Sequence, residues 1–310
     1  MDPISISVNA LTKKYENIIA LDTISFEVKK GELFGFIGPD GAGKTSLFRI
    51  LVSLLLPDSG SAMVEGYEVG KDFKKIRKIV GYMPGRFSLY MDLSVEENLQ
   101  FYATIFGTTI RENYHLIRDI YSQIEPFKTR KAGKLSGGMK QKLALCCALI
   151  HKPVVLFLDE PTTGVDAVSR KEFWEMLKRL KEMRITILVS TPYMDEASLC
   201  DRVALIQNGK IMEISTPDEI VSGYPNRLLS VSSEDIYKLL SDLHQYPGVH
   251  SLHAFGQSAH VAFQHDEIIE SDLVSFLEKQ GHRGIMTERI VPNIEDCFME
   301  LMTYPPSAPH

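Results

Sequence analysis

Cysteine is scarce in this sequence, and the few that occur are not spaced as metal ligands. Only four are found among 310 residues, at Cys146, Cys147, Cys200 and Cys297. None belongs to a C-x-x-C pair, which argues against a structural zinc site and against a disulfide framework. Cys146 and Cys147 are neighbours within a helical pattern. We therefore expect all four to be reduced thiols in the core of a cytosolic protein.

The sequence also lacks an excess of basic residues and any long apolar run. Its net charge is −6 and its pI is about 5.9, so no basic surface is available for duplex nucleic acid. The longest apolar run, LVSLLL at 51–56, is too short to span a bilayer. The N-terminal stretch MDPISISVNAL has neither the basic nor the apolar region of a signal peptide. We expect no nucleic-acid partner and a chain that does not cross a membrane by itself.

Three short runs are apolar throughout, which is typical of parallel strands buried on both faces. They lie at 33–37 (LFGFI), 154–158 (VVLFL) and 185–189 (ITILV). Helical patterns lie between them or beside them, at 45–56, 139–150 and 169–183. This alternation predicts an α/β fold for residues 1–219.

Other segments of this first part interrupt the α/β pattern. Residues 5–28 (SISVNALTKKYENIIALDTISFEV) predict an antiparallel ribbon, and VALIQNGKIMEI at 203–214 predicts a hairpin. The hairpin turn is the dipeptide Asn208-Gly209. The region at about 90–150 is rich in helical patterns, so we expect a helical insert there.

Past Pro217 the pattern changes, and residues 220–302 predict a small α+β domain. Strands are predicted at 228–231, 249–255, 259–263 and 285–291, and helices at 235–243 and 271–280. The resulting order, β-α-β-β-α-β, is that of a ferredoxin-like fold. A last helix is predicted at 294–302, and residues 303–310 are predicted to be a tail or linker.

The clearest motif is GPDGAGKT, which follows the first apolar run and opens a helical pattern. Its residues are Gly38, Pro39, Asp40, Gly41, Ala42, Gly43, Lys44 and Thr45, with Ser46 directly after them. Glycines let consecutive backbone N–H groups turn towards a phosphate chain, and the helix N-terminus adds positive potential. We expect Lys44 to contact the β- and γ-phosphates of ATP, Thr45 to bind Mg²⁺ and Ser46 to contact another phosphate oxygen. A glycine-rich turn without function is the alternative, which the combined spacing, lysine and threonine disfavour.

Two adjacent acids follow the second apolar run. Asp159 is expected to hold Mg²⁺ through a water molecule, because carboxylates are preferred ligands of this ion. Glu160 lies one residue further, where a carboxylate can act as general base towards an attacking water. Such a pair can also be a solvated strand end, an alternative that the nearby phosphate loop disfavours.

A third motif, LSGGM, opens the helical pattern MKQKLALCCALI. It comprises Leu135, Ser136, Gly137, Gly138 and Met139, whose hydroxyl and amides form an anion site at a helix N-terminus. With this motif, residues 1–219 resemble the ATP-binding subunit of an ABC transporter, a P-loop NTPase with a parallel-sheet core, an antiparallel β subdomain and a helical subdomain. The resemblance implies that LSGGM binds the nucleotide of a second ABC ATP-binding domain, so that two ATP molecules lie between two domains. It also implies an integral membrane permease as partner, which places the chain on the inner, cytoplasmic face of the cell membrane.

The resemblance assigns roles to further positions. Tyr15 lies where the family stacks an aromatic ring on adenine, although an ordinary strand aromatic is the alternative. Asp166 lies in the loop that crosses the dimer interface. The segment GRFSLYMDLSVEENL after Pro84 is where the family receives the coupling helix of the permease. Its apolar residues, which could line a groove or belong to the core, are Phe87, Leu89, Tyr90 and Met91. The ending VPNIEDCFMELM resembles subunits of ABC-2 type drug and lipid exporters.

Two positions depart from the family pattern. Where the family has a glutamine that contacts magnesium and the attacking water, this chain has Gly85. Where the family has a histidine that hydrogen-bonds the γ-phosphate, it has Pro192, which offers neither a side-chain donor nor a backbone N–H. We predict ATP binding that is nearly intact and slow hydrolysis at this site. Since Glu160 and LSGGM are kept, the chain is expected to form one half of an asymmetric pair, with a separate subunit or a further domain of the same polypeptide.

Two functions follow from this pattern. The first is an ATPase that powers an exporter, and the second is an essentially non-hydrolytic regulatory or structural module that binds nucleotide. A third, a soluble ABC protein of translation or DNA repair, is disfavoured by the acidic charge and the C-terminal ending. Steady-state ATPase assays discriminate between the first two functions, and co-purification of a membrane protein separates both from the third.

Overall fold

The computed structural model describes residues 3–263 and 270–304 of the chain. The chain divides into two compact units, and the boundary along the sequence falls between Thr216 and Pro217. Among the described residues, no helix has both the length and the apolarity needed to cross a membrane. All four cysteines are buried, as predicted, and burial raises the pKa of the Cys146 thiol above its usual value.

The first unit alternates strands and helices. In chain order its elements are β1 (Ile4–Tyr15), β2 (Ile18–Lys29), β3 (Leu33–Ile37), α1 (Lys44–Leu51), β4 (Ser59–Val64), β5 (Tyr67–Glu68), α2 (Phe73–Ile79), β6 (Val80–Met83), α3 (Val95–Ile105), α4 (Ile110–Tyr121), α5 (Gly137–Leu149), β7 (Val155–Asp159), α6 (Ala167–Glu182), β8 (Thr186–Thr191), β9 (Arg202–Gln207) and β10 (Lys210–Ser215). Short 3-10 helices are formed by Glu125–Phe127, Ala132–Lys134 and Met194–Leu199.

The central sheet has six strands in the order β10-β9-β3-β8-β7-β6. All neighbouring pairs are parallel except β9 and β10, which form the predicted hairpin. Its turn residues Asn208 and Gly209 both have positive φ, 48° and 75°, as a two-residue turn of this kind requires. The strands β3, β7 and β8 are buried along their whole length, so the prediction of a parallel core is confirmed.

Two further parts complete the first unit. An antiparallel sheet in the order β2-β1-β4-β5 contains the predicted N-terminal ribbon. The helices α3, α4 and α5 follow one another between β6 and β7 and pack together, which gives the predicted helical subdomain. Capping boxes at Ser94 and Thr109 define where α3 and α4 begin, because each side chain satisfies a backbone N–H of the first turn.

The predicted helix at 45–56 is too long. The helix α1 ends at Leu51, and Ser53 has a left-handed backbone with φ 61°, which no α-helix can continue. Leu54 and Leu56 then lie on the surface with 57% and 62% exposure. The prediction counted these two leucines as part of the apolar face of the helix, and it therefore placed the end of the helix too late in the chain.

The second unit has an antiparallel sheet covered by helices. Its elements are α7 (Pro217–Ser222), β11 (Leu228–Ser232), α8 (Ile236–Leu243), β12 (Val249–Phe255), β13 (Ser258–Phe263), α9 (Glu270–Lys279), β14 (Met286–Ile290) and α10 (Ile294–Thr303). The strand order is β12-β13-β11-β14, which is the ferredoxin-like arrangement predicted from the sequence. Asp235, predicted as the first residue of a helix, is instead the N-cap of α8 and accepts a hydrogen bond from the Lys238 amide. Most of the predicted tail, residues 305–310, lies outside the described residues.

The core of the first unit contains a group of five phenylalanines at the centre of its main hydrophobic cluster. They are Phe26, Phe34, Phe36, Phe48 and Phe157, with neighbouring ring centroids 4.9 to 6.4 Å apart. Phe48 projects from α1, directly after the phosphate loop, and meets Phe36 and Phe157 edge to face. Such contacts fix α1 on the sheet.

We predict that Phe48→Ala lowers the free energy of unfolding of the first unit by about 3–5 kcal/mol, since it leaves a cavity among packed rings. Phe73→Ala, on α2, is the matched control because Phe73 is 36% exposed. Denaturant unfolding of the two variants measures the difference. Equal losses for both would contradict this account of the core.

Candidate nucleotide site

The phosphate loop lies where two backbones approach it too closely for any side chain. A Cβ atom at Gly38 would lie 2.1 Å from the Ile206 carbonyl oxygen on β9. A Cβ atom at Gly43 would lie 2.1 Å from the Ala20 carbonyl oxygen on β2, and Gly43 also has φ 104°. Glycine is therefore required at both ends of the loop, and α1 begins directly after it at Lys44.

The Lys44 side chain lies inside the curve of the loop. Its Nζ donates to the carbonyl oxygens of Gly38 and Pro39 at 2.7 and 2.9 Å. The same atom lies 3.2 Å from Oε1 of Glu160. Because only 2% of the Lys44 side chain is exposed, these three oxygens supply its polar partners in place of water. The loop and the end of β7 are thus joined through one ammonium group.

The two acids at the end of β7 differ in environment. Asp159 is 2% exposed, and its Oδ1 accepts a hydrogen bond from Ser190 Oγ on β8 at 2.7 Å. Glu160 is more exposed and has φ 50°, a strained conformation for a residue with a side chain. Its amide donates to the Ser190 carbonyl oxygen at 3.0 Å, which holds that conformation. Sequence reasoning did not identify Ser190, whose only signal is its place one residue before the end of the third apolar strand.

Tyr82 on β6 lies near the Asp159 carboxylate. Burial, together with the negative charge of Asp159, raises the pKa of Tyr82 to about 12. The phenol therefore stays neutral at physiological pH and adds no negative charge beside Asp159.

A cavity of about 310 Å³ lies over the loop. Its lining residues are Tyr15, Ala20, Gly41, Ala42, Gly43, Lys44, Thr45, Ser46 and Glu160. Among these lining residues, Tyr15 is 42% exposed, and the Tyr15 hydroxyl lies 3.3 Å from Ser46 Oγ. The cavity thus brings together residues predicted to contact adenine, the phosphates and the attacking water. The hydroxyl of Thr45 and the carboxylate of Asp159 are oxygen ligands of the kind Mg²⁺ prefers, so the residues present fit a magnesium nucleotide.

The LSGGM motif forms a separate feature. Ser136 is the N-cap of α5, and its Oγ accepts a hydrogen bond from the Met139 amide at 3.3 Å. A Cβ atom at Gly138 would lie 2.7 Å from Ser169 Oγ, so the motif packs against the start of α6. The described residues that line the cavity with Lys44 do not include this motif.

Asp166 is the N-cap of α6, beside the LSGGM motif. Its Oδ1 accepts hydrogen bonds from the amides of Val168 and Ser169 at 3.1 and 3.0 Å. The hydrogen bond from Ser169 holds the pKa of the Asp166 carboxyl below its usual value. Asp166 is not among the described residues that line the cavity.

The two departing positions lie at strand ends that face the acids and the loop. A side chain at Gly85 would begin 3.1 Å from the Asp159 carbonyl oxygen and 3.7 Å from Glu160 Cβ. Pro192 directly follows β8, whose last residue Thr191 accepts a hydrogen bond from the Gly38 amide at 3.3 Å. Side chains at both positions would therefore begin beside the acids or the phosphate loop.

The fold and the site together define an ATP-binding domain of the ABC type. The family described as ABC transporter matches residues 21–163. The probable multidrug ABC transporter ATP-binding protein YbhF of Escherichia coli (strain K12) is 41% identical over 217 residues, which cover 69% of this chain and 38% of YbhF. The Nod factor export ATP-binding protein I of Rhizobium sp. (strain N33) is 30% identical over 305 residues, covering 97% of this chain and 98% of the relative. The chain therefore belongs to the ATP-binding proteins of ABC transporters, a family of P-loop ATPases.

A solved structure supports the fold of the first unit. It is that of cbiO1 from Clostridium perfringens, part of the ABC transporter complex cbiONQ. It is 26% identical with a TM-score of 0.64 and covers 72% of this chain and 92% of its own. This chain spans less than half the length of YbhF, so the activity of that longer protein does not transfer to it directly.

We predict that Lys44→Ala abolishes Mg²⁺-dependent ATP binding, because it removes the ammonium group that lies inside the loop. Lys71→Ala is the control, since the Lys71 side chain is 76% exposed and pairs with Glu68. Titration with a fluorescent ATP analogue measures both affinities. Undiminished affinity of the Lys44 variant would disprove the assignment of the site.

Proposed function

We propose that the chain binds Mg–ATP and, in a dimer with a second ABC ATP-binding domain, powers export through a membrane permease, with slow hydrolysis at its own site. The observation that carries this proposal is the single cavity that Lys44, Thr45 and Glu160 line together with Tyr15. The two relatives described above are ATP-binding proteins of multidrug transport and of Nod factor export, which favours export as the direction of transport.

Each residue of the site has a role that follows from its position. The loop amides and Lys44 hold the phosphate chain, and Tyr15 stacks on the base. Thr45 and Asp159 are the residues that would hold Mg²⁺, which supplies positive charge where negative charge develops. Glu160 accepts a proton from the water that attacks the terminal phosphorus atom. Its contact with Lys44 orients the carboxylate before the reaction.

Slow hydrolysis follows from the two departing positions. Removal of one hydrogen bond that stabilises a transition state costs about 10²–10³ in rate, and two such losses need not multiply. Binding is affected less, because the loop amides and Lys44, which hold the phosphate chain, are kept, and Mg²⁺ readily keeps water in place of a lost ligand. The expected result is a site that holds nucleotide well and turns it over slowly.

The second ABC domain is inferred from the LSGGM motif. Its hydroxyl and amides lie at the N-terminus of the 13-residue helix α5, where an anion is stabilised. The described residues that line the cavity over this chain's own phosphate loop do not include the motif. Asp166 caps the adjacent helix. We propose that both face the nucleotide of a partner domain, either in a separate subunit or in the same polypeptide.

The permease contact is inferred from an apolar groove beside β6. A cavity of about 250 Å³ there is lined by residues that include Leu89, Tyr102 and Phe106. Of the residues expected to contact the coupling helix, Leu89 is buried while Tyr90 and Met91 are 50% and 45% exposed. Leu89 therefore supports the groove, and Tyr90 and Met91 are available to a partner. This contact would hold the chain at the inner face of the membrane.

The isolated chain is predicted to hydrolyse ATP at less than about 1 per second, the lower end of the ordinary enzyme range. Phosphate release from the purified chain, with and without a partner ABC domain, measures this rate. A faster rate for the chain alone would contradict the slow site. ATP binding with no hydrolysis in either case would favour the alternative, a non-hydrolytic nucleotide-binding module, which the loss of polar side chains at Gly85 and Pro192 also supports.

Gly85→Gln combined with Pro192→His is predicted to raise turnover by about tenfold or more while ATP affinity stays within about twofold, since the added groups act on the transition state. The measurement uses a dimer in which the partner's own general base is disabled, so that only this site is counted. Lys71→Ala in the same dimer is the control for an unrelated surface change. Flat turnover with intact binding would show that these two positions do not limit the reaction.

A further inference from the structure

One buried carboxylate outside the predicted site connects several of its parts. Glu196 lies in the 3-10 turn Met194–Leu199 and is 1% exposed. Its Oε1 accepts a hydrogen bond from Thr162 Oγ1 at 2.8 Å, and its Oε2 accepts one from Thr191 Oγ1. Both threonines are buried, so these hydrogen bonds are not exchanged with water.

The two threonines lie at or just after the ends of two neighbouring strands, β8 and β7. Thr162 follows Glu160 by two residues in the segment after β7. Thr191 ends β8, and its carbonyl oxygen accepts the Gly38 amide at the first residue of the phosphate loop. The Glu196 carboxylate thus joins the segment that carries the general base to the strand end that contacts the loop.

A third connection runs to the helix that follows Asp166. Arg170 on α6 has its Nε 3.8 Å from Glu196 Oε1, and its Nη1 lies 3.4 Å from Asp195 Oδ2. Its guanidinium lies 4.4 Å from the centre of the Tyr193 ring. A buried carboxylate needs hydrogen bonds and a nearby cation to offset its lost hydration, and Glu196 has both.

We propose that Glu196 is a positioning residue for ATP hydrolysis, which fixes Glu160 relative to the phosphate loop through Thr162 and Thr191. The inference rests on the proposed function, since it concerns the rate of that reaction. Glu160 holds a strained backbone conformation that neighbouring contacts must maintain. Proline at position 192 has no side-chain donor for a phosphate. The Glu196 carboxylate instead connects the end of β8 to the segment after β7 through its two hydrogen bonds.

The test removes one hydroxyl from the link. Thr162→Val keeps a β-branched side chain but cannot donate to Glu196, so the segment that carries Glu160 loses its link to Glu196 while the phosphate loop is untouched. We expect turnover to fall about 10-fold to 100-fold with the KM for ATP within about twofold, because a displacement of about 1 Å in a reacting group costs on that order. Thr162→Ser restores the donor and is expected to restore turnover.

Thr163→Val is the matched control, because Thr163 is the exposed neighbour of Thr162. A second variant, Glu196→Gln, covers the case in which Thr162→Val fails to fold. Its amide can accept a hydrogen bond from one threonine and donate one to the other, so the fold is kept while the charge is lost. Because hydrogen bonds to a neutral amide are weaker than those to a carboxylate, a smaller fall in turnover with unchanged KM is expected for it.

Wild-type ATP binding and phosphate release are measured first, in the dimer whose partner has its general base disabled, since their absence there would refute the proposed function rather than this link. If the wild type hydrolyses ATP and Thr162→Val matches it in turnover, Glu196 has no positioning role. A parallel loss of ATP affinity, turnover and thermal stability in Thr162→Val, without rescue by Thr162→Ser, would also overturn the proposal, because it would show a purely structural contact.

Discussion

The close approach of two strand backbones to the phosphate loop is the constraint on which the site depends. Gly38 leaves no room for a side chain against β9, and Gly43 leaves none against Ala20 on β2. The loop is therefore held between the parallel and the antiparallel sheet, and its amides are oriented before a nucleotide binds. Preorganised donors of this kind lower the cost of binding an anion, since the backbone need not be ordered at that moment.

The other functional groups converge because parallel strands end at the same edge of a sheet. The ends of β3, β6, β7 and β8 carry Gly38, Gly85, Asp159 and Thr191. Hydrogen bonds between neighbouring strand ends, from Ser190 to Asp159 and from Gly38 to Thr191, keep this edge in register. Substitution at one strand end therefore leaves the scaffold intact while it changes the chemistry, which is the situation of Gly85 and Pro192.

What could be predicted from the sequence was local. The three apolar strands, the phosphate loop and the β-α-β-β-α-β order were all predicted, because each depends on a pattern within a few residues. The strand β4 (SGSAMV) was missed, since most of its residues are exposed and polar or small. The predicted end of α1 was wrong, because nothing in the apolar run LVSLLL indicates that Ser53 adopts a left-handed backbone conformation. The link through Glu196 joins residues 34 positions apart, so only the tertiary structure brings it together.

The turn of the β9–β10 hairpin also contacts the loop, from far along the chain. The Gly209 amide donates to the Ala42 carbonyl oxygen at 3.1 Å, and the Gly209 carbonyl oxygen accepts the Asp22 amide at 2.9 Å. These bonds connect the antiparallel sheet, the loop and a turn that is synthesised more than a hundred and fifty residues after the loop. During translation the GPDGAGKT segment therefore leaves the ribosome well before the backbone that shapes it. We therefore expect nucleotide binding, and the stability that ATP adds, to follow the synthesis of the last hairpin of the first unit.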